Sequence, residues 1–409
     1  MRKFSKFFAA IAASVVAFAS VCPVLAEGIT YTGVAGGTPK IQKYLIMDEN
    51  ANVPNVTFNF SIAPGEGVDS SDPATKLQVR AGLAGATIGN ATFAQGQDTY
   101  TTPQAIDAAD GIQAQGLSDN VELQSGEKYA RSAVEVDFSG VTFVEPGIYR
   151  YIITETASDT TKGIVDDADA TRYMDVYVID NGSGVLSVQG YVLHDSDTDA
   201  TMNKDGSMPT DFMKASSFVN RYISHDLVIE KEVAGNQASH DEYFKFTVVI
   251  SNALAGTVYT VDLSDADATT KTNTSNTDNG TAHTNPATLT VGTDGTVTAE
   301  FWLQGGQSVA IKGLANNTAY TITEDDALLD KEAYVTSCAQ VGDTDGTFTA
   351  DSRQLVNEGI TADTTDTFTN EKSGTIPTGI LVKTLPAICL MGFAAVLFVA
   401  SRKSKEEEF

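Results

Sequence analysis

Four short motifs occur twice in this chain, in the same order, which requires a duplicated folding unit. Near residue 40 the sequence reads Lys40-Ile41-Gln42-Lys43-Tyr44-Leu45, followed by Phe58-Asn59-Phe60-Ser61-Ile62. Near residue 228 it reads Val228-Ile229-Glu230-Lys231-Glu232-Val233, followed by Phe244-Lys245-Phe246-Thr247-Val248. Each copy continues through a Tyr-x-Ile-Thr-Glu box, Tyr151–Glu155 and Tyr320–Glu324, and closes on Phe-x-Asn, Phe218-Val219-Asn220 and Phe368-Thr369-Asn370. A lysine, a glutamate and an asparagine thus recur in one order, each on or beside an apolar run. The copies meet near His225-Asp226, and 409 residues are enough for two or three domains.

The periodicity within each copy is that of β-strands. Val56–Ile62 alternates branched or aromatic residues with polar ones, as a half-buried strand does. Ala133–Phe138, Tyr149–Thr154, Tyr173–Val178, Val185–Val192, Phe244–Ile250, Val297–Leu303 and Tyr320–Thr323 do the same. Turn signals separate them at Asn181-Gly182, Asp205-Gly206, Asn279-Gly280, Asp294-Gly295 and Asp345-Gly346. No amphipathic helix stands out between the termini. The expected fold is all-β: two tandem immunoglobulin-like β-sandwich domains.

Both ends carry an address. Arg2, Lys3 and Lys6 precede an apolar run from Phe7 to Val21, and Val24-Leu25-Ala26 resembles a cleavage site, so residues 1–26 read as a secretory signal peptide. Ile380–Ala400 is mostly apolar and, at ~31 Å as a helix, long enough to cross a bilayer. Arg402, Lys403 and Lys405 follow it and fix the tail in the cytoplasm. The formal net charge is −27; the leader contributes +3 and the tail +1, so the exported body carries −31. Such a body repels phosphate, and nucleic acid is excluded as a partner. Cys22 falls in the leader and Cys389 in the membrane helix, which leaves Cys338 alone in the body and no intramolecular disulfide. Cys338 is expected to pack as a small hydrophobe.

Burying an unpaired lysine or glutamate costs several kcal/mol, so charged groups on apolar strands need a reason. The chemistry leaves two readings open. One is a buried Lys–Glu salt bridge with the asparagine as a satisfied neighbour. The other is a reaction: a desolvated lysine loses its proton, a buried glutamate holds one, and the neutral amine attacks the asparagine carboxamide. The acid would polarise the carbonyl and shuttle protons until ammonia leaves. The product is a Lys–Asn isopeptide bond.

The motifs resemble the isopeptide-linkage domains of Gram-positive, sortase-assembled backbone pilins of the streptococcal major-pilin type. The resemblance covers most of the exported chain and includes Val233-Ala234-Gly235-Asn236 early in the second copy. It implies self-generated Lys–Asn crosslinks and end-to-end stacking into covalent fibres. Carried over by motif, Lys43, Glu155 and Asn220 form a first trio and Lys231, Glu324 and Asn370 a second, with the glutamates as proton shuttles. Ala63–Lys128 and Ser264–Pro286 match poorly and are expected to be loops or elaborations.

Thr375-Ile376-Pro377-Thr378-Gly379, placed before the membrane helix and basic tail, is similar to a sortase sorting signal in the contracted Ile-Pro-Thr-Gly form. Pro377 keeps the segment extended, and Gly379 lets a cysteine enzyme reach the Thr378 carbonyl. An amine then resolves the acyl-enzyme: a lysine of the next subunit gives a polymer, cell-wall peptide an anchor. Similar pilins place the acceptor about one strand length before the closing asparagine, which points to Lys214, with Lys204 as its competitor. The segments read as 1–26 signal peptide, 27–225 and 226–373 isopeptide-linkage domains, and 374–409 sorting signal, helix and tail.

The implied function is a structural pilus shaft subunit, secreted and anchored to the cell wall of a Gram-positive bacterium. Its implied partners are pilus and housekeeping sortases, identical subunits, peptidoglycan, a tip adhesin and a host surface. The alternative is a monomeric wall-anchored adhesin with ligand contacts in Ala63–Lys128. No cofactor is expected. Asp195-Ser196-Asp197-Thr198-Asp199 lacks the glycine and glutamate of a calcium loop, and His194, His225, His240 and His283 show no ligand spacing. Single-turnover crosslinking would not make the chain an enzyme. Trp302 alternates with apolar neighbours and is expected in the core.

Overall fold

In a computed structural model, residues 39–69, 77–105, 121–180, 182, 184–194, 197, 217–240, 242–264, 275–278, 281–325 and 333–375 are described. They are β throughout except for one 3-10 turn at Thr160–Lys162. The signal-peptide reading of residues 1–26 and the membrane-helix reading of Ile380–Ala400 lie outside the described residues.

Two β-sandwiches follow one another. In the first, one sheet runs Ile164–Val165, Ser217–Tyr222, Lys40–Asp48, Glu127–Asp137 and Thr87–Ile88. The facing sheet runs Leu186–His194, Thr171–Asp180, Gly147–Glu155 and Phe60–Pro64. Ile41, Leu45, Val134 and Phe218 from one sheet meet Tyr151, Ile153, Met174 and Val176 from the other in one apolar core. In the second sandwich, Ser224–Ala234 lies between Ser308–Ala315 and Thr364–Glu371, with Val335–Val341 at the edge. Its facing sheet holds Val297–Leu303, Phe244–Ser251, Ala319–Glu324, Gln354–Asn357 and Thr347–Thr349.

The same non-local pairing organises both. The first strand of each sandwich lies parallel to its last: Lys40–Asp48 beside Ser217–Tyr222, and Ser224–Ala234 beside Thr364–Glu371. Parallel neighbours cannot be joined by a tight hairpin, so the rest of each domain forms the crossover between them.

Three details depart from the periodicity. Val56–Ile62 is two strands: Val56–Phe58 pairs with Ala91–Phe93, while Phe60–Pro64 pairs with Gly147–Glu155. Asn59 sits at the break, its carbonyl accepting from the Thr156 N–H at 2.8 Å, and both Phe58 and Phe60 remain buried. Ala63–Lys128 contains short strands at Val79–Ala81, Thr87–Ile88, Ala91–Phe93 and Thr99–Tyr100. Trp302 is only half-buried, because the inward positions of its strand belong to Phe301 and Leu303. The Asn285 side chain brackets the Trp302 backbone at 2.8 and 3.1 Å.

A single residue, Ile223, separates the last strand of the first sandwich from the first strand of the second. Its N–H donates to Gly163 O at 2.8 Å, and its carbonyl accepts from the Asn316 N–H at 2.9 Å. Asn52 Nδ2 donates to Val258 O at 2.8 Å and Asn55 Nδ2 to Ala255 O at 2.9 Å, while the Tyr222 hydroxyl donates to Gly313 O at 3.1 Å. Gly163 has φ +73°, and a Cβ there would lie 2.5 Å from Ile223 O and 2.9 Å from Asn316 N. Gly163→Ala should therefore cost about 1–2 kcal/mol in the first sandwich and loosen the joint, read as a lower thermal midpoint and a broader distance distribution in small-angle scattering.

Candidate functional site

The strand Lys40–Asp48 is buried on both faces, because the sandwich core lies under one and Tyr44, Ile46, Val121 and Tyr129 cluster under the other. Alternation sends Ile41, Lys43, Leu45 and Met47 to the sandwich core. In the second domain alternation likewise sends Leu227, Ile229 and Lys231 inward, from a strand fully buried on that face alone. Each lysine is thus carried inward by the residues that make its strand a core strand.

The register then brings in the asparagine. Across the parallel pair Lys43 faces Phe218 and Leu45 faces Asn220; in the second domain Lys231 faces Phe368 and Val233 faces Asn370. The two-residue offset is identical. From the facing sheet, Glu155 stands opposite Phe60 and Glu324 opposite Phe246, at the ends of their strands. Phe60 packs on Phe218 at a ring-centroid distance of 5.2 Å, and Phe246 on Phe368 at 5.3 Å. The first phenylalanine of each Phe-x-Phe lies under the ammonium, with Lys43 Nζ 4.7 Å from the Phe58 ring centre and Lys231 Nζ 4.7 Å from that of Phe244.

In both domains the glutamate touches the lysine and the asparagine at once. Lys43 Nζ is 2.7 Å from Glu155 Oε2, and Asn220 Nδ2 donates to Glu155 Oε1 at 2.7 Å. Lys231 Nζ is 3.2 Å from Glu324 Oε1, and Asn370 Nδ2 donates to the same oxygen at 2.8 Å. Lys231 also donates to Phe368 O at 3.1 Å. Lys43, Asn220, Lys231 and Asn370 are 0% exposed, Glu155 4% and Glu324 1%. Burial pulls both lysines down to about 8, against the attraction of their glutamates. Burial pushes both glutamates above the ordinary carboxylate range, against the attraction of their lysines. Both shifts favour a neutral amine beside a neutral acid. Glu324 Oε2 has no hydrogen-bond partner among the described residues, which is where a carboxyl proton would sit.

In one respect the geometry corrects the chemical expectation. The glutamates face the amide nitrogen and not the carbonyl. Asn220 Oδ1 instead accepts from the Asp167 N–H at 2.9 Å, and Asn370 Oδ1 from the Thr336 hydroxyl at 2.7 Å. Asp166 Oδ1 gives Asn220 Nδ2 a second, longer acceptor at 3.2 Å. The motif repeat gave no sign of Asp166, Asp167 or Thr336, since none has a counterpart at the matching place in the other copy.

Lys214, its competitor Lys204, and the motif Ile376, Pro377, Thr378 and Gly379 lie outside the described residues, as do most of Asp195–Asp199. Cys338 lies half-buried on the edge strand, its thiol pushed up to about 12 by burial, so it holds almost no thiolate at neutral pH. A further buried polar cluster is internally paired: Arg150 Nε and Nη2 donate to the two Asp175 oxygens at 2.8 and 2.9 Å, with His194 Nε2 2.8 Å from Asp175, and Arg150 Nη1 donates to Asp197 O at 3.3 Å. Among the described residues no group of three His, Cys, Asp or Glu side chains is arranged to hold a metal ion.

An unreacted trio has a measurable pH signature. Lysine is near 10.4 in an unfolded chain, and Lys231 is near 8 when folded, so between those values the unfolded chain binds more protons and stability rises with pH. In Asn370→Ala, which keeps the Lys231–Glu324 contact, the urea midpoint of the second domain should rise from about pH 8 to pH 10. Adding Lys231→Met should flatten that rise.

Known proteins share this architecture. The family model described as Spy0128-like isopeptide containing domain matches residues 39–223, and a domain of unknown function, DUF7601, matches residues 225–372. A pilin of Streptococcus pyogenes serotype M1 is 27% identical over 382 residues, covering 89% of each chain. The major pilin protein T3.2 of Streptococcus pyogenes serotype GAS13637 has a similar fold, with a TM-score of 0.50 at 18% identity over 82% of this chain and 99% of that one. A Streptococcus pyogenes major pilin aligns with a TM-score of 0.49 at 22% identity, over 83% and 100% of the two chains.

Proposed function

We infer that this chain, whose residues 39–223 match the family model described as Spy0128-like isopeptide containing domain, is the structural shaft subunit of a covalent surface pilus. The observation that carries the reading is one Lys–Glu–Asn trio, built twice in one register inside buried apolar cores. A salt bridge alone would need no asparagine at a fixed two-residue offset.

The trio supports intramolecular amide exchange. The lysine ammonium passes a proton to the glutamate, and the neutral Nζ attacks the asparagine Cγ. The glutamic acid then protonates Nδ2, takes a proton from Nζ, and the Cγ–Nδ2 bond breaks to release ammonia. Three ammonium hydrogens and two amide hydrogens become one on the new amide, one on the acid and three on ammonia. The buried ion pair is replaced by a neutral amide and a neutral acid, which removes the cost of keeping charge in the core.

Lys43–Asn220 and Lys231–Asn370 bonds would close loops of 178 and 140 residues, contributing about 5 kcal/mol each in the chain-entropy account. Each would join the first and last strands of a domain, so tension could not unzip that parallel pair. Polymerisation falls to the sorting signal: sortase cleaves after Thr378, and Lys214 of the next subunit accepts the acyl group. The last subunit passes to peptidoglycan, at the surface of a Gram-positive cell.

Intact mass tests the crosslinks. The exported chain should weigh about 34 Da less than its sequence, one ammonia of about 17 Da per bond. A full-weight protein would sink the reading. Glu155→Ala should restore about 17 Da and make the first domain trypsin-sensitive.

Assembly has a separate test. Cells making the chain should show a ladder of high-mass species on denaturing gels, and Lys214→Ala should collapse it to a single band. A monomeric adhesin would give one band with or without Lys214.

A further inference from the structure

Acyl transfer puts negative charge on the carbonyl oxygen, and a donor already aimed at that oxygen is worth about 10²–10³ in rate. With each glutamate turned to the amide nitrogen, the carbonyl oxygen depends on other groups. In the second domain that group is a side chain. Thr336 is 6% exposed, lies on the strand Val335–Val341 directly opposite Asn370, and donates its hydroxyl to Asn370 Oδ1 at 2.7 Å. In the first domain the short strand Ile164–Val165 flanks the last strand on the corresponding side, and the chain leaving it supplies the Asp167 N–H. Asp167 is fixed there by its own carboxylate, which accepts from Val219 N at 2.9 Å and from Arg172 Nη2 at 2.8 Å.

We propose that Thr336 is a catalytic residue of the second domain's crosslinking reaction, its hydroxyl stabilising the oxyanion that forms on Asn370 as Lys231 attacks, and that the first domain uses the Asp167 backbone amide for the same task. The proposal rests on the isopeptide reading of the two trios. The bond formed is Lys231 Nζ–Asn370 Cγ and the bond broken is Asn370 Cγ–Nδ2. The Thr336 proton stays on its oxygen and strengthens its hydrogen bond only while the carbon is tetrahedral. Because one donor is a side chain and the other is backbone, a single substitution separates the two domains, and the first serves as an internal clock.

The test is cell-free synthesis of the whole exported chain, with intact mass and tryptic maps followed over time for wild type, Thr336→Val and Thr336→Ser. Valine keeps the shape and the strand preference of threonine but has no hydroxyl; Trp302 fluorescence and far-UV circular dichroism report folding. In Thr336→Val the Lys43–Asn220 bond should form on the wild-type time course, and the Lys231–Asn370 bond about 10²-fold or more slowly. Thr336→Ser should recover most of the rate. Wild-type timing of both bonds in Thr336→Val would overturn the proposal, as would a serine variant as slow as the valine one. A wild-type chain that releases no ammonia would overturn the crosslink reading beneath it, an outcome distinct from equal rates in the variants.

Discussion

The energetics of this fold turn on an amine, an acid and an amide buried together away from solvent. Each of the two cores is built mainly of aromatic and aliphatic side chains, and among the described residues each holds one lysine that is 0% exposed. An ammonium there is tolerable only if a carboxylate meets it, and that carboxylate only if its other oxygen finds a donor or a proton. Glu155 and Glu324 meet the lysines from the opposite sheet, so the polar contact ties the two layers together. The asparagines complete the set from the neighbouring parallel strand. The burial that makes the ion pair costly is what moves both partners toward their neutral, reactive forms.

Register is the second requirement. A slip of one residue in either parallel pair would turn the asparagine out of the core. Both pairs hold the same two-residue offset, and the Phe-x-Phe and Phe-x-Asn aromatics packed on each other at 5.2 and 5.3 Å keep it. The aromatics therefore set position as well as exclude water. What differs between the copies is what lies beyond the last strand: a short strand and an acidic turn in one, a full edge strand in the other. The donor to the asparagine carbonyl differs accordingly.

The joint between the sandwiches joins the two sites mechanically. Asn220 and Lys231 are separated by one uninterrupted run of chain through Ile223, hydrogen-bonded to Gly163 on one side and Asn316 on the other. A load entering near the end of the first domain would pass along this run from one proposed crosslink to the next.

The repeated motifs were enough to read an all-β chain and to single out Lys43, Glu155, Asn220, Lys231, Glu324 and Asn370, because strand alternation and a duplicated order of polar residues are local properties of a sequence. The same local view merged Val56–Phe58 with Phe60–Pro64, since alternation continues across a break that only separate pairing partners reveal. It also put Trp302 inside, where Phe301 and Leu303 already fill the inward positions. The donors to the two carbonyl oxygens, one of them a backbone N–H, come from segments 53 and 34 residues away. Which atom of each carboxamide faces the acid was settled only when those segments closed over the last strand, because a hydrogen bond depends on the direction of approach and sequence order carries no direction in space.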